Sequence, residues 1–124
     1  MKAIKKIKKR LIRNLKVWHE ELNDDINFFI NKIKEAKDVE DIMRHKKELL
    51  ITLILRLPLS VSHCYFCIAK SEKVFEDCEK CPYAKFHDIC SFPFSDYAKI
   101  TEAQEELLQR IKKLYYENEK YDEQ

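Results

Sequence analysis

Not one of the 124 residues is a glycine. That absence removes whole classes of fold before any motif is sought. Tight hairpins, many-turned sheets and phosphate-cradling loops need positive φ or close backbone approach, which glycine supplies without steric cost. Long helices need neither. Proline is scarce as well, at three residues, and Lys, Glu, Ile and Leu dominate, a helical composition. The chain is therefore predicted to be all-α: two or three long antiparallel helices, with a cysteine metal knuckle inserted before the C-terminal helix. A chain of this length suits one domain with a modest core. Its expected parts are N-terminal helices over 1–59, the knuckle over 60–94 and a C-terminal helix over 95–124.

The apolar spacing supports the helices. Ile4, Ile7, Leu11, Leu15, Trp18, Leu22, Ile26, Phe29 and Ile33 follow one another in steps of three and four, which keeps them on one helix face. The pattern also returns every eleventh residue, as in Ile4, Leu15 and Ile26. That period lies close to the natural helix period, so the stripe drifts little. A break at Asn23-Asp24-Asp25 is an open alternative, with Asp24 as cap. Asp38 is the expected N-cap of a second helix whose face runs Val39, Ile42, Met43, Leu49, Leu50, Leu53, Ile54 and Leu57. Leu49 to Leu57 is apolar on most faces and is expected in the core or at an interface. Pro58 ends it. The last helix starts either at Ser95-Asp96 or at a capping box of Thr101 with Gln104. Its expected stripe is Ile100, Leu107, Ile111, Leu114 and Tyr115, and the polar tail from Glu117 is expected to fray. The aromatic residues Trp18, Phe28, Phe29, Tyr115, Tyr116 and Tyr121 are read as packing residues.

Between the helices the periodicity fails, and all five cysteines fall there: Cys64, Cys67, Cys78, Cys81 and Cys90. A Cys-x-x-Cys spacing lets two thiolates converge on one ion, and two such pairs complete a tetrahedral zinc site. The segment has few aliphatic residues to bury, so metal binding is its available source of order. Pro82 is placed to start a short helical turn that returns Cys90 toward the site. Five cysteines compete for four places. The preferred set is Cys64, Cys67, Cys78 and Cys81; the main rival replaces Cys78 with Cys90. His63 and His87 are further possible ligands. An iron–sulfur cluster, disulfides and unrelated buried thiols are the alternatives to zinc.

The string Cys64-x-x-Cys67, Cys78-x-x-Cys81-Pro82 and Cys90, followed by Pro93-Phe94, resembles a motif of small uncharacterised proteins from phages, archaeal viruses and related mobile elements. The similarity covers about 35 residues, from Cys64 to Tyr97. Ser91-Phe92-Pro93-Phe94 stands where that family often carries Gly-Thr-Pro-Tyr. The resemblance implies a metal-binding knuckle flanked by helices, a viral or mobile-element source, and no particular activity.

Charged residues make up 37% of the chain yet leave a net charge of only +2, so an electrostatic partner must be read from local charge. Lys2, Lys5, Lys6, Lys8, Lys9, Arg10, Arg13 and Lys16 occur with no acidic residue before Glu20. Lys5, Lys6, Lys8, Lys9, Arg10 and Arg13 are the candidate nucleic-acid contacts, acting on phosphates by counterion release. An anionic membrane surface and a solvated face balanced by Glu102, Glu105 and Glu106 are the other readings. A cationic start also opposes the helix dipole, a local cost.

No catalytic constellation is found. His19-Glu20 lacks the second histidine of a zinc-protease helix, since position 23 is Asn23. No histidine follows a glutamate by three, as carboxylate-bridged di-iron bundles need. The expected protein is non-enzymatic and zinc-stabilised, binding nucleic acid or a host protein, with a homodimer through the first helix as a further possibility. No apolar leader is seen, and Leu49–Leu59, interrupted by Arg56 and Pro58, is too short to span a bilayer. A soluble cytoplasmic protein is expected, in the host cytoplasm if viral. The Lys, Glu and Ile content resembles that of thermophile proteins.

Overall fold

One helix, α1, spans Lys2–Glu35 without interruption, about 50 Å at the usual rise. The Asn23-Asp24-Asp25 stretch is helical, and the Asp25 carboxylate accepts from Arg56 Nε at 2.8 Å. The computed structural model describes residues 2–114, and among them there is no strand. The fold class is all-α. After α1 come α2 (Val39–Leu55), α3 (Tyr65–Ser71), α4 (Ala84–His87) and α5 (Asp96–Lys112), with 3-10 turns at Val61–His63 and Cys78–Lys80. Tyr115, Tyr116, Tyr121 and the tail from Glu117 lie outside the described residues. No helix among the described residues is long and apolar enough to cross a membrane.

The expected stripe of α1 faces inward along most of its length. Ile7 is only 1% exposed, and Leu11, Leu15, Trp18, Leu22, Ile26, Phe29 and Ile33 are half-buried. Ile4 departs from it at 50% exposed, one turn before the packed part of the helix begins.

The described residues pack as two compact units. The hairpin unit contains Glu20–Leu57 and the residues from Gln104 on. Here α1 and α2 are joined by three residues, and Asp38 caps α2 by accepting from the Asp41 N–H at 2.8 Å. At the far end Arg56 reaches Asp25 and also Glu21 Oε2 at 3.1 Å. The tight connection and this distant pairing make the two helices antiparallel. Leu49–Ile54 is half-buried throughout, and α2 contributes no fully buried residue. Its expected place at the centre of a core is therefore only half met. The helix ends at Leu55, ahead of Pro58, as the pre-proline restriction requires. The Gln104 side chain donates to the Ile54 carbonyl at 2.6 Å, satisfying a C-terminal carbonyl.

The buried residue of α5 is Leu108, which the expected stripe omitted. Ile100 and Leu107, which it included, are about half exposed. The covered face runs Tyr97, Thr101, Gln104, Leu108 and Ile111, and its polar members hide it from a hydrophobicity pattern. The helix begins at Asp96 with Ser95 as cap: the Ala98 N–H donates to Ser95 Oγ at 3.1 Å. Thr101 lies inside the helix and donates to the Ala98 carbonyl.

The cysteine unit contains the chain up to His19 and Pro58–Ala103. Its core is Ile7, Ile68 and Ala69, flanked by Leu11 and Phe75. Arg10 donates to Ser71 Oγ at 2.8 Å, and Asn14 donates to the Ser62 carbonyl at 2.8 Å. The segment 62–71 thus runs antiparallel to the first turns of α1. Because glycine is missing, α3 is closed by a lysine in the left-handed region: Lys73 has φ 62°. The Val74 N–H reaches the Ala69 carbonyl and the Lys73 N–H the Lys70 carbonyl, the paired bonds of a Schellman motif. Asp88, after α4, has φ 63° and ψ 165°, a region populated almost only by glycine.

Candidate functional site

α3 has two sides with different work. Ile68 and Ala69 pack against α1, while Phe66 and Cys67 face a small cavity. That cavity has a volume of about 30 Å³ and is lined by Cys67, Cys78, Cys81 and Cys90 with Phe66, Phe75 and Tyr83. It is far below the several hundred Å³ of an ordinary small-molecule site. One ion fits the scale; an organic substrate does not.

The chain reaches this cavity by three short devices. Cys64 sits immediately before α3 and Cys67 in its first turn. Asp77 caps the Cys78–Lys80 turn, accepting from the Lys80 N–H at 3.1 Å, and the Cys81 N–H closes on the Cys78 carbonyl. After Pro82, α4 and the bend at Asp88 carry the backbone to Cys90. There Ser95, nearly fully buried, donates to the Cys90 carbonyl at 3.1 Å while capping α5.

Electrostatics single out Cys67 among the thiols. Cys67 is pushed up to about 12, first by burial, then by a thiol hydrogen bond with Cys64 and by the neighbouring Cys64, Cys90 and Cys81. Tyr97 is raised by burial and then by Cys90, Cys67 and Cys64. Tyr83 is raised by burial, then by Asp96, and to a smaller degree by Cys90 and Cys64. Cys78 enters none of these. Its thiol is exposed and takes a contact from Lys70 Nζ at 3.4 Å. Cys78 nevertheless lines the cavity with Cys67, Cys81 and Cys90, whereas Cys64 meets Cys67 through the thiol hydrogen bond. Two overlapping sets result: Cys67, Cys78, Cys81 and Cys90 line the cavity, and Cys64, Cys81 and Cys90 act on Cys67.

All five cysteines are free thiols. As placed, no three or more His, Cys, Asp or Glu side chains among the described residues are arranged to hold a metal ion. Burial and its thiol neighbours oppose ionisation of Cys67, and a divalent ion would reverse that balance by favouring the thiolate. The donor chemistry of the group, soft sulfur with no carboxylate among it, suits zinc or an iron–sulfur cluster. The two candidate histidines are engaged elsewhere. His63 Nδ1 lies 2.9 Å from Ser60 Oγ. His87 Nδ1 lies 2.5 Å from Asp96 Oδ2, with its ring stacked on Tyr83 at 4.7 Å.

The basic helix divides in two. Lys6 Nζ and Arg10 Nη1 both bind Glu72, at 3.1 and 2.6 Å, and Glu72 is only 16% exposed. Lys5, Lys8, Lys9 and Arg13 are exposed and make no ion pair with a described residue. Glu105 and Glu106 bind Gln109 and Arg110 on their own helix. The counter-charge for α1 is thus Glu72, sixty residues away in sequence and invisible to local pattern reading. Ser95, Tyr83 and Tyr97 were also not singled out as neighbours of the cysteines. The Ser95-Asp96 helix start was their one sequence signal.

Comparison with family models, with curated proteins and with solved structures finds no match to this chain.

Proposed function

We propose that this protein is a non-enzymatic nucleic-acid-binding module whose cysteine segment is ordered by one structural zinc ion, with Cys64, Cys67, Cys81 and Cys90 as ligands. The observation that carries the reading is a coincidence within one compact unit. Three thiols, those of Cys64, Cys81 and Cys90, gather around Cys67, and the adjoining helix presents Lys5, Lys8, Lys9 and Arg13 to solvent.

The need for metal follows from the thin core. Only Ile7, Ile68, Ala69 and Leu108 are fully buried apolar residues among those described. Each such side chain contributes at most about 1.5–3 kcal/mol, whereas zinc contributes about 10 kcal/mol or more in zinc-finger peptides. Four thiolates would saturate the ion and leave no open position for water or substrate, which makes its role structural.

Charge favours a nucleic-acid partner. The first turns of α1 carry eight Lys and Arg up to His19 with no acidic residue, so phosphate attraction is concentrated on that helix. Titration of a labelled mixed-sequence oligonucleotide at increasing salt tests this. Affinity should fall steeply with salt and collapse when Lys5, Lys8, Lys9 and Arg13 become glutamate. Absence of binding at low salt would refute it.

A second reading rests on the hairpin unit. Leu55, at 61% exposed, and Leu57, Phe28 and Ile30 are exposed apolar side chains of this unit. A host protein or a second copy of the chain suits that surface. The resemblance of the cysteine string to phage and mobile-element proteins fits a host-directed role. Association that survives salt and is weakened by Leu55→Asp would support it.

A further inference from the structure

We propose that Lys2, Lys5, Lys9, Arg13 and Lys16 form one cationic row that seats α1 on the phosphates of double-stranded DNA without reading its sequence. This rests on the nucleic-acid reading and names the strand state and the mode of recognition.

The five residues follow one another in steps of three and four along α1. At the helical repeat they share an arc of about 80° over a length of about 21 Å. All five are exposed, and none makes an ion pair with a described residue. Ile7, only 1% exposed, lies almost opposite them and packs against Ile68 and Ala69 of α3. Lys6 and Arg10 fall to one side of the row, where Glu72 holds them at 3.1 and 2.6 Å. The row therefore faces away from the packed side of the helix. The next place in the spacing is taken by Glu20, which sets its end.

Charge gives a polyanion one place to go on this unit. Residues 2–19 carry eight Lys and Arg and no acidic residue, whereas residues 58–103 carry five lysines against seven Asp and Glu. A polyanion is drawn to the row and repelled by the segment behind it. An anionic membrane fits less well. The exposed apolar residues of this stretch, Ile4, Ile12 and Val17, are spread around the helix and form no stripe to enter a bilayer surface.

The row suits a duplex better than a single strand. No Phe, Tyr or Trp occurs before Trp18, so the row offers no ring for an unpaired base to stack on, the means by which single strands of any sequence are held. Four of its five members are lysines, point charges suited to phosphate. Phosphate contacts fix position and carry no sequence information. The one nearby amide, Asn14, is occupied by the Ser62 carbonyl at 2.8 Å. A duplex carries about one phosphate charge per 1.7 Å of its axis, so a straight row meets phosphates along its whole length. The major groove of DNA, about 12 Å wide, admits a helix, whereas that of duplex RNA is too narrow.

The test uses the purified full chain and four labelled probes: two 20-base-pair DNA duplexes of unrelated sequence, oligo(dT) of the same length and a 20-base-pair RNA duplex. Anisotropy is read at several salt concentrations. The two DNA duplexes should bind equally, and at least about tenfold tighter than oligo(dT) or duplex RNA. The plot of log affinity against log salt should have a slope of about −4 to −5, the value for five phosphates. Each of Lys5→Gln, Lys9→Gln and Arg13→Gln should weaken binding a few-fold and make the slope shallower by about 1, with helicity unchanged. Lys46→Gln, at an exposed lysine of α2, should leave both as they were. Oligo(dT) or duplex RNA bound as tightly as duplex DNA, or a slope that the three row variants do not change, overturns this proposal and leaves the nucleic-acid reading standing. Row variants that lose binding to vesicles of phosphatidylserine and phosphatidylcholine, yet keep binding to DNA, also overturn it and make the row a membrane contact. Failure to bind any nucleic acid at low salt overturns both.

Discussion

Arg10 donates to Glu72 at 2.6 Å across 62 residues of sequence, tying the basic helix to the end of the helix that carries Cys67. Arg10 first, then Lys6, holds the Glu72 carboxyl below the usual glutamate range. A carboxylate with a lowered folded pKa stabilises above its unfolded value, about 4.3, and that stability is lost as pH falls through the folded value. Glu72→Gln should therefore lower stability at neutral pH, with the difference from the parent vanishing in acid. Denaturant melts across pH 2–7 check this; a difference that grows on acidification contradicts it.

The same pair sets how much of the basic helix is available to a partner. Glu72 occupies Lys6 and Arg10. Glu72→Gln should release both cations and tighten oligonucleotide binding a few-fold, with a steeper salt slope. Lys5→Gln or Lys9→Gln should act in the opposite direction. Anisotropy at three salt concentrations separates the two effects.

Core position is expected to dominate over apolar character on α1. Ile7 is 1% exposed and Ile4 is 50% exposed. Ile7→Ala should cost about 2–5 kcal/mol, and Ile4→Ala a few tenths. Equal losses on chemical denaturation would place the packed face of α1 wrongly.

Two non-glycine residues in glycine territory give a stabilisation test. Lys73 has φ 62° and Asp88 φ 63°. Such positions cost about 1–3 kcal/mol each, partly offset by the greater freedom of glycine in the unfolded chain. Lys73→Gly should thus gain about 0.5–1 kcal/mol, and Asp88→Gly at least as much, seen as melting temperatures raised by a few degrees. Unchanged or lowered values would mean that the backbone at these turns is not strained.

The ligand set makes a prediction about a single thiol. Cys78 is exposed and contacted by Lys70, whereas Cys67 is surrounded by Cys64, Cys81 and Cys90. Cys78→Ser should keep metal content and stability. Ser at 64, 67, 81 or 90 should lose both. Metal loss in Cys78→Ser with retention in Cys90→Ser would restore the set that paired spacing alone favours.

What the sequence revealed depended on how local the cause was. The stripe from Ile7 to Ile33 and the Asp38 cap are set by neighbours within a turn, and they are where the periodicity puts them. Glu72 was not legible, because its partners lie on a different helix. Leu108 was missed because the covered face of α5 includes Thr101 and Gln104, whose hydrogen bonds replace apolar contact. Spacing made Cys78 and Cys81 an equal pair. The structure distinguishes them by exposure alone, Cys78 exposed and Cys81 half-buried, and the chain beyond Asp88 brings Cys90 into the same cavity lining.

The most direct test of the account is elemental analysis of the protein purified with and without oxygen, together with its visible spectrum. The account predicts one zinc per chain, no colour and no dependence on oxygen. Iron with sulfide and a brown colour, or no metal with thiols missing on titration, would contradict it.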